Sequence, residues 1–326
     1  MCKSTCCLRL SVFLALYHGA AYASPTMQVV IPHPVSEIVC FGDSLSDTGN
    51  VWTATGKAFP PEAYGYYQGR CTNGTVWVEQ LATACGVPLP GPSLGGGPNQ
   101  AWAGARSGGG TSHLSQVPTL DVWNVGKQVT EYINGGGNFG PTTLVTIWAG
   151  GNDLLFDQAN PADVAQNVAD AVSDLVGAGA REFLVLNQVP LGETPVGRAQ
   201  VPAVRALLNG LSAGYGTALA AELAVWDSDP DVTVYELDAH ALFTDILADP
   251  TAYGFQNVED PAINFPGANH DEFVFWDEFH PTAAGHAVIA GQVRSVPEPA
   301  ALALLAAGGL ALSLWLVRRR LVRRRS

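Results

Sequence analysis

The chain predicts an α/β fold, one parallel sheet with helices on both faces. Three observations predict it. Short apolar runs alternate with longer segments whose apolar residues recur at helical spacing. Between two terminal segments of different composition lie about 270 residues, ample for one large domain. Two polar turns, Phe41 to Asn50 and Ala149 to Asp153, directly follow apolar runs. A parallel sheet gathers its ligands at that edge.

Each element follows from its residues. Ile38 to Phe41 reads as a buried strand and Val76 to Ala84 as a helix. Val122 to Ile133 reads as a second helix, and Leu144 to Trp148 as an apolar strand. Val164, Val168, Val172, Leu175 and Val176 form one apolar stripe of a helix that Gly177 and Gly179 stop. Phe183 to Leu186 is a strand, Val204 to Ala224 a helix and Val232 to Leu237 a strand. Pro281 to Val293 closes the pattern as a last helix, with proline near its first turn. The segments Gly95-Gly96-Gly97, Gly108-Gly109-Gly110 and Gly135-Gly136-Gly137 lack the lysine of a phosphate loop and read as surface loops.

The two ends stand outside this plan. Lys3 and Arg9, the apolar stretch Leu10 to Leu16 and the small-x-small site Ala21-Tyr22-Ala23 read as a secretory signal over residues 1–23. At the other end, Val296-Pro297-Glu298-Pro299 precedes an uncharged run, residues 300–317, and six arginines. At 1.5 Å per residue that run reaches about 27 Å, enough to cross a bilayer, with the arginines on the cytoplasmic side. Pro-Glu-Pro, apolar span and basic tail in this order resemble the PEP-CTERM sorting signal of Gram-negative bacteria. The resemblance implies an exosortase-type processing enzyme as a partner and an exported protein of the cell envelope or extracellular space. The layout is therefore signal 1–23, domain 24–295 and sorting segment 296–326, the last holding the protein in the membrane before processing.

Charge narrows the partners. The chain has 16 basic and 29 acidic residues. Lys3, Arg9 and the tail arginines are eight of the basic ones, and Glu298 lies in the tail. The body thus keeps 8 basic against 28 acidic residues, a formal charge of about −20. Such a body repels phosphate backbones, so nucleic acid is excluded as a partner. Cys2, Cys6 and Cys7 fall in the signal; Cys40 reads as a buried thiol, and Cys71 and Cys85 could pair in an oxidising compartment. No Cys-x-x-Cys or His-x-x-x-His spacing exists, so neither metal nor cofactor is expected.

The chemistry-bearing residues lie far apart. Ser44 follows the first strand, and Asp277-Glu278-Phe279-His280 precedes the last helix. A serine hydroxyl becomes a nucleophile when a histidine takes its proton, and a carboxylate beside that histidine fixes its tautomer. Asp277 and His280, three apart in a loop, can meet within one turn. The rival pair is His270-Asp271; His286 lies on the last helix and packs or faces solvent. An oxyanion needs aimed donors. Candidates are the Ser44 N–H, the N–H of Gly104 and the amide of Asn152.

These residues together resemble the GDSL, or SGNH, hydrolase superfamily. Gly42-Asp43-Ser44-Leu45 is similar to its first block, with Ser44 as nucleophile. Gly104 falls where the second block carries an oxyanion glycine, though Ala103 stands where many members have another glycine. Gly150-Gly151-Asn152-Asp153 is similar to the third block and Asp277 to His280 to the last. Tyr67-Gln68-Gly69-Arg70, Asn73-Gly74 and Trp77 resemble the lipase and esterase branch, as do Leu191 to Pro195 and Tyr253 to Val258. The likeness covers roughly residues 37–294. It implies a three-layer αβα sandwich of flavodoxin-like type. It also implies a serine esterase or lipase working through an acyl-enzyme. Ser44 lies outside any Gly-x-Ser-x-Gly, which argues against the α/β-hydrolase elbow. An acyltransferase would use the same residues, and a non-catalytic surface or matrix protein would keep the fold alone. Lipid, acetylated polysaccharide and small esters all suit the site as substrates. Trp52, Phe59, Tyr64, Tyr66, Tyr67 and Trp102 could line an acyl site or simply pack.

Overall fold

The computed structural model describes residues 28–296. The strands are β1 (Val29–Ile31), β2 (Glu37–Gly42), β3 (Thr111–His113), β4 (Asp121–Trp123), β5 (Thr143–Trp148), β6 (Glu182–Leu186), β7 (Thr233–Leu237) and β8 (Val293–Ser295). The helices are α1 (Asn50–Ala54), α2 (Trp77–Cys85), α3 (Val125–Asn134), α4 (Gly151–Phe156), α5 (Pro161–Gly177), α6 (Pro195–Arg198), α7 (Pro202–Leu223), α8 (Ala239–Ala248) and α9 (Ala283–Ala290).

Four strands form a parallel sheet in the order β2-β5-β6-β7. All six residues of β5 are buried, as a central parallel strand with both faces covered requires. Residues 98–102 run beside the free edge of β2. The Cys40 N–H donates to Pro98 O (3.2 Å), and Gln100 N and Trp102 N donate to Cys40 O (2.7 Å) and Gly42 O (3.1 Å). This segment stands in for a fifth strand. Counted by order of appearance, the strands then read 2-1-3-4-5, the flavodoxin-like order, and the order reverses between β2 and β5. Helices α2 and α9 pack together against one side, and α3, α5 and α7 pack side by side against the other. The result is the three-layer αβα sandwich.

The elements form for local reasons. Asn160 caps α5 by accepting from Ala162 N, and Pro161 opens it. Val164, Val168, Ala171, Val172 and Leu175 are its buried stripe. Two helices are shorter than the sequence predicts. Val122 belongs to the β3–β4 hairpin, and α3 starts only at Val125, because Asn124 is extended and its amide oxygen accepts from Arg106 N and the Ser112 hydroxyl. Helix α9 spans Ala283–Ala290, because the Thr282 hydroxyl caps it by accepting from Gly285 N. Val293 leaves the helix to pair in parallel with Val29. Cys40, Cys71 and Cys85 are all free thiols. Among the described residues no helix is long and apolar enough to cross a membrane. The expected signal over 1–23 and span over 300–317 lie outside the described residues.

One contact sets the end of β2. Gly42 has φ +148°, and a Cβ there would stand 2.3 Å from the Trp148 carbonyl oxygen, so only glycine lets β2 turn off beside β5. The fully buried Gln128 of α3 grips this glycine: its Oε1 accepts from Gly42 N (3.0 Å), and its Nε2 donates to Gly42 O and Trp123 O, both at 2.8 Å. Gln128→Ala strands these backbone groups without partners. It should lower stability by about 2–4 kcal/mol, measured as a shift of the urea unfolding midpoint.

Candidate active site

The turn after β2 presents Ser44. Asp43 O accepts from Ser46 N (3.1 Å) and Asp47 N (2.9 Å), and the Asp43 side chain accepts from Leu45 N (3.0 Å). The chain therefore folds back within four residues and leaves the Ser44 hydroxyl at the sheet edge. Asp47, 1 % exposed, is an Asx-type staple: its carboxylate accepts from Gly49 N (2.7 Å), Asn50 N (2.6 Å) and Val51 N (3.2 Å), and from Ala103 N (2.9 Å) of the next loop.

The acid and base come from the loop before α9. Asp277 Oδ1 accepts from Phe279 N and His280 N, both at 2.8 Å, which is why a spacing of three brings the two side chains together. The Trp276 N–H closes the same turn on His280 O (2.7 Å). His280 Nδ1 lies 2.8 Å from both Asp277 oxygens, and Nε2 lies 2.8 Å from Ser44 Oγ. Three side chains, two of them 236 positions apart, thus form one hydrogen-bonded line. The Tyr66 hydroxyl donates to Asp277 Oδ2 (2.9 Å).

Gly104 and Asn152 flank the serine, and all three line one cavity of about 260 Å³. Gly104 has φ +84°, and Leu114 would sit 2.7 Å from a Cβ there. Asn152 opens α4 at the end of β5 and donates to Ala105 O (2.9 Å) with one amide hydrogen. Its neighbour Asp153 is fixed by the Ser107 N–H and hydroxyl. The rest of the wall is largely apolar, from Leu155, Phe156, Val189, Phe243, Phe275 and Phe279. Of the six aromatic residues weighed from sequence, Phe59 lines this cavity. Trp102 stacks on Trp123, Tyr64 is exposed and Tyr66 bonds the acid.

Electrostatics separate the two histidines. Burial opposes a charge on His280, but the Asp277 carboxylate outweighs it and holds the imidazole above its ordinary value. Burial likewise opposes a charge on Asp277, but the His280 charge and ring hydrogen bond together with the Phe279 and His280 backbone N–H groups override it and lower that carboxyl. His286 is the opposite case: burial drives it down to about 3, and its Nδ1 accepts from Trp77 N (3.3 Å) as a neutral core group. His270, the rival base, is a half-buried ring bonded to Phe265 O. Burial raises Asp43, beside the serine, to about 7.

The structure brings Ser44, Gly104, Asn152, Asp277 and His280 to one place and adds two supports. Tyr66 was weighed only as lining or packing, and nothing local marks its partner 211 residues on. Asp47 did carry a local signal, an acid two residues before glycine, a known Asx-turn spacing.

An αβα sheet that holds a serine, an imidazole and a carboxylate in this linkage points to a class, the serine hydrolases. The chain belongs to the GDSL-like Lipase/Acylhydrolase family, whose model matches residues 38–293. Residues 295–320 match the PEP-CTERM protein-sorting motif, which marks export and sorting in Gram-negative bacteria. Among curated relatives, a phosphatidylcholine-sterol acyltransferase of Aeromonas hydrophila is 33 % identical over 72 % of this chain and 68 % of its own length. A thermolabile hemolysin of Vibrio parahaemolyticus is 26 % identical over 79 % of this chain, which spans 63 % of that protein. A GDSL esterase/lipase of Arabidopsis thaliana is 28 % identical over 79 % of this chain and 88 % of its own length.

The shifted values make a direct prediction. In an NMR titration the His280 ring should change charge above pH 6.5, while His286 should show no step above about pH 4. The signs for stability follow. The His280 contribution is full below its unfolded value near 6.5 and fades as pH rises through the higher folded one. The Asp277 contribution is full above about 3.9 and fades as pH falls through its lower folded value.

Proposed function

We propose that this chain is an exported esterase that hydrolyses carboxylic ester bonds through an acyl-enzyme on Ser44. The observation that carries the reading is the 2.8 Å approach of His280 Nε2 to Ser44 Oγ, with Asp277 behind the imidazole. Ser44 Oγ attacks the ester carbonyl carbon as His280 Nε2 takes its proton. Asp277 stabilises the resulting imidazolium. The oxyanion forms against the Ser44 and Gly104 N–H groups, which have no protein acceptor among the described residues, and against the second amide hydrogen of Asn152. Collapse expels the alcohol with the proton from His280. Water then attacks the acyl carbon, His280 takes its proton, and the carboxylic acid leaves from Ser44. No step calls on a metal or cofactor.

The apolar wall around Phe243 and Phe275 favours an acyl chain over a bare acetyl group, so lipid and small esters rank above acetylated polysaccharide. A second reading is acyl transfer, in which an alcohol replaces water; the acyltransferase among the relatives favours it. An added alcohol acceptor separates the two by its ester product. In the proposed layout residues 1–23 direct export and 24–295 form the hydrolase domain. Residues 300–317 then hold the chain in the membrane until an exosortase-type enzyme acts on the segment 296–326.

Ser44→Ala should abolish turnover of p-nitrophenyl esters with the fold intact by circular dichroism; undiminished hydrolysis refutes the proposal. Asn152→Ala should cost about 10²–10³ in kcat. Asp277→Asn should cost on the order of 10⁴. It should also move the acid limb of the pH–rate profile downward, because the charge that raises His280 is gone.

A further inference from the structure

Asp277 uses its two oxygens unequally. Oδ1 accepts two backbone N–H bonds from its own turn, at 2.8 Å each, besides the imidazole. Oδ2 meets the imidazole at 2.8 Å and, among the described residues, one further donor, the Tyr66 hydroxyl at 2.9 Å. Tyr66 arrives from a loop 211 residues away. Its ring packs edge-on against Trp276 at 6.1 Å and 87°. Trp276 is 3 % exposed and closes the acid–base turn through its own N–H. The phenol is thus seated on the very turn that carries Asp277 and His280.

We propose that Tyr66 is a positioning residue for the ester-hydrolysing site: its O–H, seated on Trp276, fixes the plane in which the Asp277 carboxylate meets His280 Nδ1. The inference rests on the acyl-enzyme reading above. Left without Tyr66, Oδ2 would keep only the bond it shares with the imidazole, and the carboxylate could rotate about the Oδ1 anchors. The phenol also draws charge toward itself and tempers the carboxylate as a partner for the imidazolium. Burial, together with the Asp277 charge, keeps the Tyr66 phenol above its ordinary value, so it remains a donor through the working pH range. The other titratable groups facing the pair are Asp43, Glu278, His286 and Cys71, and none of them donates to Asp277. On Oδ2, among the described residues, the phenol thus shares the carboxylate with the imidazole alone.

The test uses the full chain and p-nitrophenyl butyrate across a pH series. Tyr66→Phe keeps the ring on Trp276 and removes only the hydroxyl. It should lower kcat by about 5- to 30-fold with KM nearly unchanged. The acid limb of kcat/KM should move to higher pH, because a carboxylate relieved of one donor holds the imidazolium more strongly. Tyrosine replaced at position 66 by 3-fluorotyrosine, a stronger donor of the same shape, should move that limb the other way. In an Asp277→Asn background Tyr66→Phe should add less than about twofold, because both changes act on one link. A pH limb that stays still in both position-66 variants overturns the inference, and so does an equal loss in the two backgrounds. Should Ser44→Ala retain activity, the acyl-enzyme reading itself fails. Should it be inactive while Tyr66→Phe is silent, only the role of Tyr66 falls.

Discussion

The buried carboxylate of Asp47 sets the distance on which the site depends. It takes three backbone N–H bonds from its own turn and one from Ala103, so it binds the serine-bearing loop to the loop that presents Gly104. Bonds of this kind to a charged acceptor are worth roughly 1.5–3 kcal/mol each. Burial alone pushes the Asp47 carboxyl up, and the four donors resist that push. Asn99 and Asn50 extend the network: Asn99 donates to Ser46 O, and Asn50 donates to Asn99 O and Ala101 O. Ser44 and Gly104 therefore sit on one hydrogen-bonded platform rather than on two independent loops.

The topology places that platform. Reversal of strand order between β2 and β5 opens a crevice at their carboxyl ends, and the turns that follow the two strands deliver Ser44 and Asn152 there. The acid–base pair reaches the same rim from the far end of the chain. Three acids near it, Asp43, Asp47 and Asp153, are raised by burial, whereas Asp277 alone among the site's acids is lowered, by its imidazole. Burial and hydrogen bonding thus act in opposite senses on these acids, and only at Asp277 does the balance fall on the side of the charged form.

Much of this was legible in the sequence, for identifiable reasons. The central strands are continuous apolar runs, and α5 and α7 are long enough for their periodicity to show. The ends of α3 and α9 were misread because Val122 and Val293 continue an apolar rhythm into residues that the chain uses otherwise. Each instead joins a three-residue strand whose partner, β3 or β1, has too few residues to leave a pattern. The five candidate site residues stood out because their neighbours are local: glycine, the serine turn and the Asp-x-x-His turn. Tyr66 and Gln128 were hidden because their partners lie 211 and 86 positions away. A tyrosine or glutamine looks the same in sequence whether it grips a carboxylate, a glycine or water.

The pairing of β1 with β8 joins the two borders of the described domain. Val29 lies beside Val293 and Ile31 beside Ser295, the residue at which the match to the sorting motif starts. The two strands run in the same direction, so a tug on the following segment loads their ladder in shear along its length. Shear strains several hydrogen bonds at once, so the ladder shares such a load before it reaches α9 and the Asp277 turn behind that helix. Tension entering at this border would thus meet paired backbone before it meets the crevice.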